Sequence, residues 1–205
     1  MGKISRTCIC MGLLLIAVAL CFCGYNLYDE YRATGSARKV AEQLVHSITQ
    51  NIEKPSYDVP MSEVELPDYV LEPSMEMPIL TIDGYSYIGT VEIPTIDVLL
   101  PVMEQWSYTN LKIAPCRYYG SAYLDNMVIA AHNYSSHFGK LNNLNIGDKV
   151  IFTDIDGNVF NYEVVSVETL SAEDVEGMIS GEYALSLFTC TVGGQYRVTV
   201  RCEKT

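Results

Sequence analysis

Residues 185–202 restrict the architecture of this chain more than any other stretch. Leu185-Ser186-Leu187-Phe188-Thr189-Cys190 and Tyr196-Arg197-Val198-Thr199-Val200-Arg201-Cys202 are both rich in β-favouring residues, with Thr191-Val192-Gly193-Gly194-Gln195 between them. Gly-Gly between two such runs signals a tight hairpin. With Gly193 and Gly194 at the turn, Cys190 stands directly opposite Arg197, their β-carbons about 5 Å apart on one face. Arg201 shares that face but pairs with Ser186, about 13 Å further along. Cys202 points to the other face, which makes it a poor disulfide partner for Cys190. A thiol beside a fixed cation is favoured as thiolate, and the cation can stabilise a developing oxyanion.

The other end of the chain carries a membrane signal. Thr7 to Tyr28 is a run of 22 uncharged, mostly apolar residues, long enough to cross a bilayer as a helix. Lys3 and Arg6 precede it, and Asp29 and Glu30 follow. That bias places the N-terminus in the cytoplasm and the domain outside. The competing reading is a cleaved signal peptide. Neither Val18-Ala19-Leu20 nor its neighbours make a small-x-small cleavage site, and Leu20 and Phe22 before the cysteines do not suit a lipoprotein site. A retained anchor is the expectation. The net charge of −12 argues against a nucleic-acid partner, which would need a basic face.

Seven cysteines need sorting. Cys8, Cys10, Cys21 and Cys23 fall in the apolar run and read as filler. No Cys-x-x-Cys pair occurs, so no zinc site is expected, and nothing suggests a cofactor. Cys116, Cys190 and Cys202 remain for the exported domain. Their odd number leaves at least one thiol free, with a Cys116–Cys202 bridge the open alternative.

Between the ends, helical spacing of Val40, Leu44, Val45 and Ile48 predicts a helix over 36–51, capped by Ser36. Residues 51–83 hold five prolines and eight acidic residues against one lysine. They read as an extended spacer, with a flap over the active site as the alternative. From Tyr85 the pattern is strands: Ile88–Ile93, Ile96–Val102, Val128–Ala131, Lys149–Thr153, Val159–Val167 and the terminal hairpin. A short helix is expected over Ser171–Ile179, capped by Ser171. Asp154 to Asn158 reads as a turn and is too short for a calcium loop. About eight strands with little helix predict a mainly β chain, a closed or nearly closed eight-stranded barrel with short helices, behind an N-terminal transmembrane helix. The divisions are 1–28 (cytoplasmic tip and anchor), 29–84 (juxtamembrane helix and acidic spacer) and 85–205 (barrel).

A reactive cysteine needs a proton-transfer partner. The barrel region offers His132, at the end of a buried-type strand, and His137, five residues on in a polar loop. A strand-end position is held rigidly and open to solvent; a loop histidine is usually only solvated. His46 reads as a surface or packing residue. The two barrel histidines lack a third ligand for a metal.

Ser186-Leu187-Phe188-Thr189-Cys190 resembles the Thr-Leu-x-Thr-Cys signature of the sortases, with Ser in place of the first Thr. Arg197 stands where that family places its arginine, on the following strand. Ala131-His132-Asn133, with Phe138 to Val150, resembles the sortase histidine segment. Ile88-Gly89-Thr90-Val91-Glu92-Ile93-Pro94 resembles the first barrel strand. The resemblance spans about residues 85–203, with His, Cys and Arg in the family's order, and it leaves the subclass between D-like and B-like.

This resemblance implies a membrane-anchored cysteine transpeptidase acting on a sorting signal of the Leu-Pro-x-Thr-Gly type. Cys190 would attack, Arg197 would stabilise the oxyanion, and His132 would protonate the leaving amine and activate the incoming one. Thr189 and Asn133 are secondary candidates for substrate binding; Thr189 equally reads as a plain strand residue and Asn133 as a loop cap. The implied partners are surface proteins or pilins with a C-terminal sorting signal, and an acceptor amine of a peptidoglycan precursor or pilin. No second apolar span follows Arg201 and no Asp-Pro-aromatic lid is visible, which favours anchoring over pilus polymerisation. Two alternatives stay open: a cysteine protease that gives the acyl group to water, and a non-catalytic exported barrel that binds peptide.

Overall fold

The computed structural model describes residues 3–52 and 66–205. Its first element is a single helix, α1 (Lys3–Ile52). The expected break at Ser36 does not occur. The Ser36 hydroxyl donates to the carbonyl of Arg32 (2.8 Å) and that of Thr34 to Glu30 (2.7 Å), the back-bonding that lets both residues sit inside a helix. Two different surfaces share this helix. Residues 8–28 are apolar and lie almost wholly exposed, so the segment is a candidate membrane span. Beyond it, Ala33, Ala37, Val40, Ala41, Leu44 and Ile48 are buried along one stripe. Val45, expected on that stripe, is exposed, and small alanines let the helix approach closely instead.

The described part of the acidic spacer, residues 66–83, packs on the barrel; the rest lies outside the described residues. It contains a single helical turn, α2 (Asp68–Leu71), and a short strand, β1 (Leu80–Ile82). Tyr69 stacks on Tyr123 at 4.7 Å, and Met77 is buried in the core.

The barrel is built from β2 (Tyr85–Ile93), β3 (Val98–Met103), β4 (Cys116–Tyr119), β5 (Met127–Ala130), β6 (Lys149–Asp154), β7 (Val159–Ser171), β8 (Leu185–Cys190) and β9 (Tyr196–Lys204). Two more helical turns, α3 (Tyr108–Leu111) and α4 (Val175–Met178), sit in the connections. The strand order is β1-β2-β3-β4-β5-β8-β9-β7-β6, and β6 returns to pair with β2. Eight strands therefore close into a ring, as expected, with β1 added outside it. Closure depends on Gly89. Its φ is +152°, and a β-carbon there would collide with the carbonyl oxygen of Thr153 on β6, so only glycine lets the two strands meet.

Alternation sorts the strands into an inside and an outside. Met127 and Ile129 on β5, Leu185 and Leu187 on β8, and Val200 and Cys202 on β9 join Phe152, Phe160 and Tyr162 in the interior. Each such side chain contributes about 1.5–3 kcal/mol by leaving water. Val128, Ala130 and Phe188 face outward into a second apolar cluster with Val40 and Leu44 of α1. The helix that begins in the candidate span packs chiefly on β3 and β2, and through Val40 and Leu44 it joins the cluster on the outer face of β5 and β8.

Two details depart from expectation. The helix expected over Ser171–Ile179 is only the turn α4, because β7 runs on to Ser171 and the cap is Asp174, whose carboxylate accepts from the Gly177 amide (2.9 Å). No Cys116–Cys202 bridge forms. Both thiols are free and buried, Cys202 in the interior cluster and Cys116 in the outer one. Burial pushes each up to about 12, so both are inert thiols.

Candidate active site

The terminal hairpin has the expected register. Cys190 pairs with Arg197, Ser186 with Arg201, and Leu185 with Cys202. The loop itself is longer than two residues: the Thr191 amide donates to the Tyr196 carbonyl (3.0 Å) and the Gly194 amide to the Thr191 carbonyl (2.9 Å). Gly193 and Gly194 have φ of +90° and +74°, the left-handed conformation that makes glycine necessary at a turn.

β5 lies parallel to β8, with Val128 opposite Ser186 and Ala130 opposite Phe188. Continuing that offset brings His132 level with Cys190, on the same outer face. The alignment is clamped just before both residues. The Ala131 amide donates to the Phe188 carbonyl (3.1 Å), and the Thr189 hydroxyl donates to the Ala131 carbonyl (2.8 Å). Thr189 is buried, so its hydroxyl ties the cysteine strand to the residue preceding the histidine.

Cys190 is half-buried and lines a cleft of about 210 Å³ with Asn133, Phe138, Thr189, Thr191 and Val198 among its walls. The structure thus brings Cys190, Thr189 and Asn133 to one cleft, while His132 and Arg197 lie outside its lining. The Arg197 guanidinium donates through Nη1 to the carbonyls of Gly194 (2.8 Å) and Tyr196 (3.0 Å). These bonds moor the cation over the hairpin turn, across the ladder from the thiol.

His132 is half-buried, and its Nε2 has no hydrogen-bond partner among the described residues. Burial pulls it below the usual histidine range; the Asp29 carboxylate opposes this and the Lys112 ammonium adds to it. The Tyr134 ring lies 4.9 Å from the His132 ring and 5.4 Å from that of His137.

His137 corrects the sequence reading. It was expected to be solvated, and it is completely buried, with both ring nitrogens unpartnered among the described residues. The loop folds back on itself, the His137 amide donating to the Tyr134 carbonyl (2.9 Å) and the Phe138 amide to that of His132 (3.2 Å). Desolvation, then the neighbouring His132, pushes His137 down to about 4. An unfolded histidine titrates near 6.5. Between those values the unfolded chain binds the extra proton, so stability falls as pH drops from about 6.5 to about 4. This one group removes roughly 1.4 kcal/mol per pH unit over that window. His137→Phe is expected to flatten this slope in denaturant unfolding of the full chain in detergent. The single tryptophan, Trp106, supplies the fluorescence signal. An unchanged slope would remove His137 from the explanation.

Arg201 is the polar residue that sequence reasoning passed over, beyond placing it opposite Ser186. It is buried to 2% exposure, pairs with Glu168 through Nε (2.7 Å), and donates to the Ser186 hydroxyl (2.9 Å) and the Met178 carbonyl (3.2 Å). The Ser186 of the signature-like run is thus held by an arginine four ladder pairs from Cys190. No group of three or more metal-ligating side chains occurs among the described residues.

Residues 91–205 match the family model of the sortase domain. Sortase A of Bacillus anthracis is 25% identical over 192 residues, 88% of this chain and 85% of that protein. Among solved structures, the sortase D5 transpeptidase of Clostridium perfringens aligns with a TM-score of 0.59 and 18% identity, covering 82% of this chain and 99% of that one. Sortase C of Clostridium perfringens, solved with the C-terminal cell wall sorting motif, aligns with a TM-score of 0.54 and 22% identity, covering 83% and 98%.

Proposed function

The chain belongs to the sortase family, and from that premise we propose that it is a membrane-anchored transpeptidase using Cys190, His132 and Arg197 on Leu-Pro-x-Thr-Gly-type sorting signals. The observation that carries this reading is positional. Cys190 lies opposite Arg197 on β9, and the β5–β8 register, continued two residues past Ala130, sets His132 level with it. On that register a nucleophile, a cation and a proton carrier would share one outer face, which supports the reading.

The Cys190 thiolate attacks the carbonyl after the signal's threonine. The electron pair of that carbonyl becomes an oxyanion beside Arg197. As the C–N bond breaks, protonated His132 gives its proton to the leaving amine, and a thioester remains. An incoming amine then attacks the thioester, neutral His132 takes its proton, and the Cys190 thiolate leaves. The acceptor amine belongs to a cell-wall precursor or a pilin, and the substrates are exported proteins ending in a sorting signal. The solved relative that carries a cell wall sorting motif supports this substrate class. The apolar run Thr7–Tyr28 and its flanking charges support a single span with the barrel outside the cell.

Intact mass of the full chain in detergent, incubated with a panel of such peptides, tests the reading. The expected result is an added mass equal to the peptide up to its threonine, absent in Cys190→Ala and discharged by an amine into a peptide–amine product. Discharge into hydrolysed peptide alone would make the protein a protease. No adduct with any peptide, beside a Cys190 that resists iodoacetamide, would favour a non-catalytic binding barrel.

A further inference from the structure

The anchor helix grips the loop that follows His132. Three consecutive loop residues are held by one face of α1. The Tyr134 hydroxyl donates to the Asp29 carboxylate (2.7 Å), the Ser135 amide to Glu30 (2.9 Å), and the Ser136 and Thr34 hydroxyls share a hydrogen bond (2.6 Å). Asp29 and Glu30 are the first charged residues after the apolar run, and Ala33 and Ala37 bring the helix into contact just below them.

We propose that Asp29 is a positioning residue for His132, acting through Tyr134, so that the anchor helix completes the histidine half of the active site. Tyr134 is the connecting piece. Its ring packs beside the His132 ring, and its hydroxyl is fixed by Asp29. The His132 ring has no hydrogen bond of its own at Nε2 among the described residues, so its orientation rests on packing, and the packing partner is tethered to the helix. Burial, then the bond to Asp29, pushes the Tyr134 phenol up to about 12, which keeps it a donor at every working pH. The charged groups around His132 come from three elements: Asp29 and Glu30, with Arg32 bonded to Asp29 (3.1 Å), on α1; Lys112 just after α3; and His137 on its own loop. Removing the Asp29 charge leaves Lys112 and burial unopposed, so His132 moves further down.

The proposal rests on His132 acting in transpeptidation, and its test separates the two. In full chain held in lipid nanodiscs, Asp29→Ala and Tyr134→Phe are each expected to lower kcat for peptide–amine transfer about tenfold, with KM within about twofold. The double variant should lose no more than either single one, because both break the same bond. Asp29→Asn keeps an acceptor and is expected to rescue kcat at the optimum while shifting the pH profile. Histidine NMR gives a readout independent of turnover, since only three histidines are present. The His132 titration is expected to move to lower pH in Asp29→Asn. Active wild type with unchanged kcat in Asp29→Ala, or a His132 titration unmoved by Asp29→Asn, would overturn the positioning role and leave the transpeptidase standing. Inactive wild type with every peptide would defeat the functional reading and the proposal with it.

Discussion

Glu168→Ala is expected to destabilise the barrel by about 3 kcal/mol, the lower end of what stranding a buried charge costs. Arg201 is buried to 2% exposure, and Glu168 supplies its counter-charge from β7 across the ladder. The carboxylate is itself 38% exposed, so water reaches the gap and limits the loss. Loss of about 3 kcal/mol lowers the midpoint of thermal unfolding on the order of 10 °C for a domain of this size. Glu168→Gln keeps an acceptor for Nε and should lose about half as much. Trp106 fluorescence in denaturant reads both variants. Equal stability of wild type and Glu168→Ala would mean that the Ser186 hydroxyl and the Met178 carbonyl suffice for Arg201. The position matters beyond stability, because Arg201 braces Ser186 four residues before Cys190 on the same strand.

His132→Ala is expected to lower kcat/KM for a sorting peptide by about 10²–10⁴, the range of a positioned general acid–base. Under the proposed mechanism the leaving amine would then depart without a proton donor, and the incoming amine would have no base. Alkylation of Cys190 by iodoacetamide should persist, since the thiol and its cleft remain. His137→Phe is the matched comparison: it removes the neighbouring imidazole without touching the proton path. A His132→Ala enzyme of wild-type kcat/KM would sink the assignment.

The hairpin was legible in the amino-acid order because its information is local. Alternation sets the faces, glycine sets the turn, and the two together pair Cys190 with Arg197. The eight-stranded ring was legible from strand count, although β1 and β4 are too short to announce themselves by pattern. What escaped depends on contacts distant in sequence. Ser36 looks like a cap until Arg32, one turn earlier, takes its hydroxyl. His137 looks solvated until its loop turns inward over Tyr134. Ser171 looks like a cap, but pairing with β9 extends β7 through it. The Glu168–Arg201 pair and the Asp29–Tyr134 bond join residues 33 and 105 positions apart, beyond the reach of any local pattern.

The unbroken course of α1 makes it a strut and not a flexible leash. From Tyr28 to Thr34 it rises only about 9 Å, and within that height it has already bonded the histidine loop. Under the proposed anchoring of residues 7–28 in a bilayer, the histidine end of the barrel would stand at a set height over the lipid headgroups. Substrates would then be measured from the membrane outward. A scissile peptide a few residues from its own membrane-embedded tail would be within reach; the same peptide displayed on a long stalk would lie above the working plane.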